Sequence, residues 1–164
     1  MRLLQFPIQK QYGKEWCWLT AAVCIDLYYN PSSTWTQCLL ANALLPQTTC
    51  CTNPLPDVCD KPGQLKSSIG LVRRLRTAVS SQILFSGIQS EIDSSPVGHP
   101  ICVGLVWTDQ EIGHAVIITG YDETTNYIYV SDPASGNVHY LPYDSFRTSY
   151  LGKGTWTDTF FTQP

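Results

Sequence analysis

Apolar positions along the chain predict helices in its first part and strands in its second. Ala21, Ala22 and Leu27 favour a helix that Asn30 and Pro31 bring to an end. Similar runs predict three more helices, and a Pro-rich loop at residues 45–63 separates the second from the third. The predicted helical ranges are 17–29, from a cap among residues 32–34 to residue 44, 64–76 and 86–94.

From residue 100 onward, runs rich in Val, Ile and aromatic residues are typical of strands. The predicted strands cover 101–107, 114–121, 127–130, 137–140 and 155–162, with a short helix near 143–150. Helices followed by an antiparallel sheet predict an α+β fold. We expect a single domain over residues 1–164, in which a helical lobe (1–95) packs on a β lobe (96–164).

Composition narrows the functional classes. Hydrophobic residues make up 43% of the 164 residues, which is enough for one core, whereas charged residues make up only 14%, a low value more common among secreted proteins. The net charge of −3 predicts no nucleic-acid partner. No apolar run reaches the roughly 18 residues of a membrane span, and the N-terminus lacks the apolar region of a signal peptide.

The seven cysteines fall into different settings. Four of them share one Pro- and Asn-rich segment, which predicts disulfides made in an oxidising compartment. A bond between adjacent Cys50 and Cys51 would be strained, so two pairings remain: 38–50 with 51–59, or 38–51 with 50–59. A zinc site is the weaker alternative because the short Cys-x(2–4)-Cys spacing is absent, and we expect no metal. The four disulfide candidates are Cys38, Cys50, Cys51 and Cys59.

Cys17 differs from the remaining cysteines. Cys24 and Cys102 lie in apolar runs and are expected to be buried thiols. Cys17 opens the first predicted helix, where the helix dipole and unpaired backbone N–H groups stabilise an anion. A thiol in that place ionises more readily, and the thiolate is the nucleophile. We therefore predict that Cys17 is a catalytic nucleophile.

Two residues at strand ends predict the partners of that nucleophile. His114 begins one strand and Asp132 follows the next one, 18 positions later. A turn at residues 123–126 would make the two strands antiparallel neighbours and bring these side chains together. His114 would then act as the base, and Asp132 would orient its ring. Gln11, six positions before Cys17, is the candidate oxyanion-hole side chain.

Three tryptophans are candidates for the lining of a cleft around these residues. Trp16 and Trp18 flank the predicted nucleophile, and Trp107 is close to His114 in sequence. We find no phosphate-binding Gly loop and no His-Glu-x-x-His sequence, and we therefore expect neither a nucleotide nor a metal cofactor.

Three motifs together resemble those of the papain-like cysteine peptidases: Gln-x(5)-Cys-Trp, Gly-His-Ala-Val-x(3)-Gly-Tyr and Asp-Pro. The chain is most similar to the bacterial branch that includes secreted effector proteases of plant pathogens and leader peptidases of bacteriocins. The resemblance implies a two-lobed fold with the cleft between the lobes. It also implies Cys17 as nucleophile, His114 as base, Asp132 as orienting residue and Gln11 in the oxyanion hole.

The resemblance implies an endopeptidase that acts on a protein or peptide substrate without a cofactor. A secreted or delivered toxin or effector is the expected setting, and such a protein would often have an immunity or inhibitor protein that closes the cleft. Two alternatives remain open at this point. The same triad could deamidate or crosslink protein glutamines, or the fold could serve as a catalytically silent binding module.

Overall fold

A computed structural model describes residues 1–110 and 113–164. Within these ranges it is an α+β fold, as predicted. The helices are α1 (Cys17–Tyr29), α2 (Gln37–Leu44), α3 (Leu65–Leu71), α4 (Phe85–Ile92) and α5 (Tyr143–Ser149). The strands are β1 (Arg2–Leu3), β2 (Leu75–Val79), β3 (Ile101–Trp107), β4 (Gly113–Asp122), β5 (Tyr127–Asp132), β6 (Asn137–Pro142) and β7 (Gly154–Thr162). No helix in the described ranges combines the length and the apolar character that crossing a membrane requires.

The strands form one antiparallel sheet in the order β2-β7-β3-β4-β5-β6, and β1 pairs with β4. β4 and β5 form a hairpin, as the sequence predicted, and Asn126 adopts a positive φ of 57° in its turn. Asn tolerates this left-handed conformation better than most residues. The hairpin brings the start of β4 beside the end of β5, so the sheet carries His114 and Asp132 at the same edge of the molecule.

Helix α1 is the centre of the first hydrophobic core, and nine of its residues from Trp18 to Asp26 are buried. It packs against α2, α3 and one face of the sheet, which contributes Cys102, Ala115 and Ile117. Asp26 is the charged residue in this set, and Arg74 Nε donates to its carboxylate at 2.7 Å. A buried charge needs such a partner, so the ion pair allows α1 to be surrounded on most of its circumference.

The other face of the sheet is covered by a second core, to which α4 and α5 contribute. Val103, Val116 and Val130 point from the central strands into this core, where they meet Phe146 and Trp156. Successive side chains of a strand point to opposite faces. The near-continuous apolar sequences of β3 and β4 are therefore explained by a sheet that is covered on both sides.

The range predicted for the third helix, 64–76, was too long. The helix ends at Leu71 and not near residue 76, because Arg73 adopts a left-handed conformation with φ 61°. The Arg73 and Arg74 N–H groups then bond back to the carbonyls of Gly70 and Ile69, both at 3.0 Å, which closes the helix. The chain continues as β2, which pairs with β7. β2 thus belongs to the sheet although it lies within the predicted helical lobe. The division into lobes at residues 95 and 96 stays a prediction.

Two disulfides connect the four clustered cysteines. The bonds are Cys38–Cys51 and Cys50–Cys59, which is the second of the two pairings left open by the sequence. They staple the loop that follows α2, in which helix and strand are absent. Cys24 and Cys102 are buried free thiols, as predicted. Burial raises the pKa of Cys24 to about 12 and raises that of Cys102 still further, which keeps both thiols protonated.

Candidate active site

Cys17 is the first residue of α1, and it is a free, half-buried thiol. The Thr20 N–H donates to the Trp16 carbonyl at 2.9 Å, so the regular hydrogen bonding of the helix starts there. The N–H groups of the preceding residues have no partner within the helix, and they concentrate its positive end around the sulfur. The Cys17 side chain also lines an open cleft of about 380 Å³.

A carboxylate and a disulfide hold the loop that leads into Cys17. Asp60 accepts hydrogen bonds from the N–H groups of Lys14 at 3.2 Å and Glu15 at 2.9 Å. The indole N–H of Trp16 donates to the Cys59 carbonyl at 2.7 Å, and Cys59 is fixed by its bond to Cys50. Sequence analysis did not identify Asp60, because its partners lie more than forty residues away.

His114 and Asp132 meet at the open end of the β4–β5 hairpin, opposite its turn. His114 Nε2 donates to Asp132 Oδ1 at 2.8 Å, and the two side chains are only 8% and 3% exposed. Cys17 and His114 line the same cleft, and the thiol contributes to the raised pKa of the imidazole. Because Nε2 is engaged by Asp132, the sulfur is left to Nδ1. The structure thus brings together the three residues that the sequence singled out.

The electrostatics of this trio favour a protonated imidazole. Burial lowers the pKa of His114, but its hydrogen bonds to Asp132 and Cys17 and the negative charges of those groups outweigh burial, and the pKa rises from 6.5 to about 9. Burial raises the pKa of Asp132, but the bonds from His114 and Tyr150 and from the Ala134 N–H reverse this and lower it overall. The charged imidazolium of His114 and the carboxylate of Asp132 thus stabilise each other.

Two aromatic residues complete the surroundings of His114. The Tyr150 hydroxyl donates to Asp132 Oδ2 at 2.6 Å in a buried position. The Trp107 ring stacks on the imidazole with centroids 5.4 Å apart and planes inclined by 18°. Sequence analysis placed Trp107 near the site but missed Tyr150. A lone Tyr just beyond a short helix carries no local signal for such a role, and only the tertiary fold brings it to Asp132.

Gln11 lies in the loop before α1, where its backbone N–H donates to the Pro133 carbonyl at 2.8 Å. This bond ties the loop to the segment just after Asp132. The Gln11 side-chain amide donates to the carbonyls of Gly13 at 2.9 Å and Lys14 at 2.5 Å, so both of its N–H bonds are occupied. Its Oε1 is buried and has no hydrogen-bond partner among the described residues. The oxyanion role of Gln11 therefore stays a prediction that requires this amide to turn.

The three tryptophans predicted to line the cleft lie in three different places. Trp18 lines the cleft beside Cys17, together with Leu65 and Phe160. Trp16 is fully buried and lies instead beside a second cavity, against the disulfide-stapled loop. Trp107 covers His114 as described above.

The profile described as Peptidase_C39 like family matches residues 3–159, which is nearly the whole chain. No curated protein sequence matches the chain significantly. The matched range includes all five helices, strands β2 to β6 and most of β7. The protein therefore belongs to the Peptidase_C39-like family, which relates it to the papain-like cysteine peptidases.

Proposed function

We propose that the protein is a cysteine endopeptidase that uses Cys17, His114 and Asp132 as its catalytic triad. The observation that carries the proposal is the pairing of the His114 imidazole with the buried Asp132 carboxylate on a cleft that Cys17 also lines from the N-terminus of α1. Membership of a peptidase family supports the same conclusion independently. Cys24 and Cys102 are no alternatives, because burial holds both thiols protonated and away from solvent.

The reaction begins with attack of the Cys17 thiolate on the carbonyl carbon of a peptide bond. The tetrahedral oxyanion that results is stabilised by backbone N–H groups at the start of α1. Gln11 is the second donor in this proposal, and its amide must first leave the carbonyls of Gly13 and Lys14.

His114 then completes the proton transfers. Its imidazolium protonates the leaving amine, the C–N bond breaks, and an acyl-enzyme thioester remains on Cys17. The neutral imidazole next removes a proton from water, whose oxygen attacks the thioester and releases the carboxylic acid. Asp132 keeps the ring oriented and stabilises its positive charge throughout the cycle.

The direct test compares proteins treated with the wild type or with Cys17→Ala. New protein N-termini are mapped by mass spectrometry after incubation with a complex protein mixture. We expect cleavage by the wild type and a loss of at least about a thousandfold with Cys17→Ala, because the covalent route disappears. Cys102→Ala would be a poor control because it opens a cavity in the core. His99→Gln is suitable, since His99 lies apart from the cleft beside Glu91 and leaves the triad intact.

The same spectra distinguish the two alternatives on this fold. A mass increase of about one dalton on glutamine would identify a deamidase, and crosslinked peptides would identify a transglutaminase; both depend on the same acyl-enzyme chemistry. Equal cleavage by the wild type and Cys17→Ala would refute the proposed nucleophile. No reaction at all, with Cys17 no more reactive toward iodoacetamide than a free thiol, would favour a binding module.

We also propose that the enzyme works outside the producing cell, as a secreted effector or toxin. The support is the pair of disulfides, which persist in oxidising compartments, together with the low share of charged residues. A protein that inhibits it would then be expected to cover the cleft at Cys17. Recovery of the protein only from inside the producing cells, with these four cysteines reduced, would contradict this setting.

A further inference from the structure

The cleft beside Cys17 has apolar walls and a negative end. Trp18, Leu65 and Phe160 supply much of the apolar surface, and His114 marks the catalytic side. Two carboxylate side chains, those of Glu15 and Asp158, also line the cleft. The described lining includes no Lys or Arg, and no ion pair among the described residues involves either carboxylate. The one cationic group of the described lining, the His114 imidazolium, is already paired with Asp132, so Glu15 and Asp158 keep their charge uncompensated.

Asp158 faces this cleft next to a β-bulge, two residues before Phe160, which lines the same cleft. Gly104 of β3 pairs with Asp158 of β7, but the next residue, Leu105, pairs with Trp156, so Thr157 is the extra residue. In a regular strand, Thr157 and Asp158 would point to opposite faces of the sheet. Here both line the cleft, because the bulge interrupts that alternation. Bulges next to active sites commonly serve to re-aim a side chain in this way.

A hydrogen bond holds the Asp158 carboxylate in place, but no ion pair among the described residues compensates its charge. The Thr157 hydroxyl donates to Asp158 Oδ2 at 2.8 Å and also lies 3.3 Å from the Gly104 carbonyl. A side chain at position 104 would stand over this carboxylate, since its Cβ would lie 3.4 Å from Asp158 Cβ and 3.7 Å from Oδ2. Glycine at 104 therefore leaves the approach to Asp158 open from the cleft.

The position of Asp158 also determines how far a bound group must extend from His114. β3 separates β7 from β4, and Gly104 pairs with both Asp158 and Ala115, the neighbour of His114. Adjacent strands lie about 4.8 Å apart, so the carboxylate stands about 10 Å from the strand that carries the catalytic imidazole. A group bridging this space would need an apolar stem along the cleft and a cationic head at Asp158.

From this geometry we propose that the cleft binds a basic side chain, lysine or arginine, of the substrate, and that Asp158 determines this specificity. The inference rests on the proposed peptidase function, since it places the basic residue close to the bond that Cys17 attacks. The aliphatic stem would pack on Trp18 and Phe160, and the cationic head would form a charge-assisted hydrogen bond with Asp158. Glu15 adds to the negative potential at the entrance.

The test uses pairs of fluorogenic peptides that differ only in lysine or norleucine at one of the positions flanking the scissile bond. Norleucine keeps the stem and removes the charge. We expect the lysine peptide to be cleaved with a kcat/KM about 10- to 100-fold higher at one position, the range typical of a charged hydrogen bond. Asp158→Asn should remove most of this preference and leave the norleucine peptide unchanged. Asp57→Asn, an equal charge change at an exposed loop position, should leave the preference intact.

A second measurement separates this inference from the proposed function. The same peptides are titrated into Cys17→Ala and into the double variant Cys17→Ala, Asp158→Asn. Tighter binding of the lysine peptide to the first protein, lost in the second, supports the inference even if the wild type cleaves nothing. Equal binding and cleavage of both peptides, or an equal effect of Asp158→Asn on both, would overturn it while leaving Cys17 as the nucleophile.

Discussion

At the scale of single residues, Asp132 is the most completely bonded group of the site. Its Oδ1 accepts hydrogen bonds from His114 Nε2 and from the Ala134 N–H, both at 2.8 Å, and its Oδ2 accepts from Tyr150. Burial of a carboxylate is costly without such partners. The three donors therefore keep Asp132 ionised, and its charge in turn raises the pKa of His114.

Tyr150→Phe tests this dependence, because it removes a single hydroxyl from the buried aromatic packing. We expect the pKa of Asp132 to rise, so that the acid limb of the kcat/KM profile moves to higher pH. The free energy of unfolding should fall by about 1.5–3 kcal/mol, the usual contribution of a hydrogen bond to a charged group. Tyr12→Phe, at an exposed position, is the matched control. A profile identical to that of the wild type would rule out this positioning role for Tyr150.

The sequence was informative for residues whose roles follow from local structure. Cys17 was recognisable because it opens a predicted helix, and His114 and Asp132 because each lies at the end of a strand in one hairpin. Tyr150 and Asp158 were not recognisable. The first reaches Asp132 only through the packing of α5, and the second reaches the cleft only because the fold places β7 beside β3.

At the scale of elements, the disulfide-stapled loop supports the start of α1. Asp60 accepts from two consecutive N–H groups just before Cys17, and the neighbouring Cys59 carbonyl accepts from the buried Trp16 ring. The loop thereby replaces the side-chain cap that Trp16 itself does not provide. The orientation of Cys17 depends on this loop as well as on α1.

Asp60→Asn should weaken both bonds, because the neutral amide is a poorer acceptor than the carboxylate. We expect slower alkylation of Cys17 by iodoacetamide and a kcat/KM lowered by about tenfold, which corresponds to about 1.4 kcal/mol of lost positioning. Circular dichroism should show that the fold is retained. Asp57→Asn changes the same charge in the same loop and should have no effect; if the two variants behave alike, the loop does not position Cys17.

The elements that sequence analysis misjudged depend on distant partners. Residues 64–76 contain good helix formers, yet the chain turns at Arg73 and adds β2 to the sheet edge beside β7, more than eighty residues later. The disulfide pairing was open for the same reason. Spacing alone excluded the adjacent bond, but only the folded loop brings Cys50 to Cys59 and Cys38 to Cys51.

At the scale of the whole molecule, the first helix carries Cys17, and the sheet carries His114 and Asp132. The core between α1 and the sheet therefore fixes the distance from the Cys17 sulfur to the His114 ring. His114 and Asp132 also couple folding to pH. The folded pKa of His114, about 9, lies above its unfolded value near 6.5, so its stabilisation is complete below about pH 6.5 and is lost as the pH rises through about 9.

Asp132 acts at the acid end. Its pKa is lowered in the folded protein, so its stabilisation is present above the ordinary value near 3.9 and is lost as the pH falls through the folded value. The whole molecule should thus be most stable where the imidazolium and the carboxylate are both charged, between these two limits.

The titration of the His114 ring by NMR tests the central claim most directly, since it reports both neighbours of the imidazole at once. We predict a midpoint near pH 9 in the wild type, and a clearly lower midpoint in Cys17→Ala and in Asp132→Asn, because each variant removes a group that holds the proton. His99→Gln should leave the midpoint unchanged. A wild-type midpoint near the ordinary value of about 6.5, unaffected by Cys17→Ala, would contradict the proposed triad.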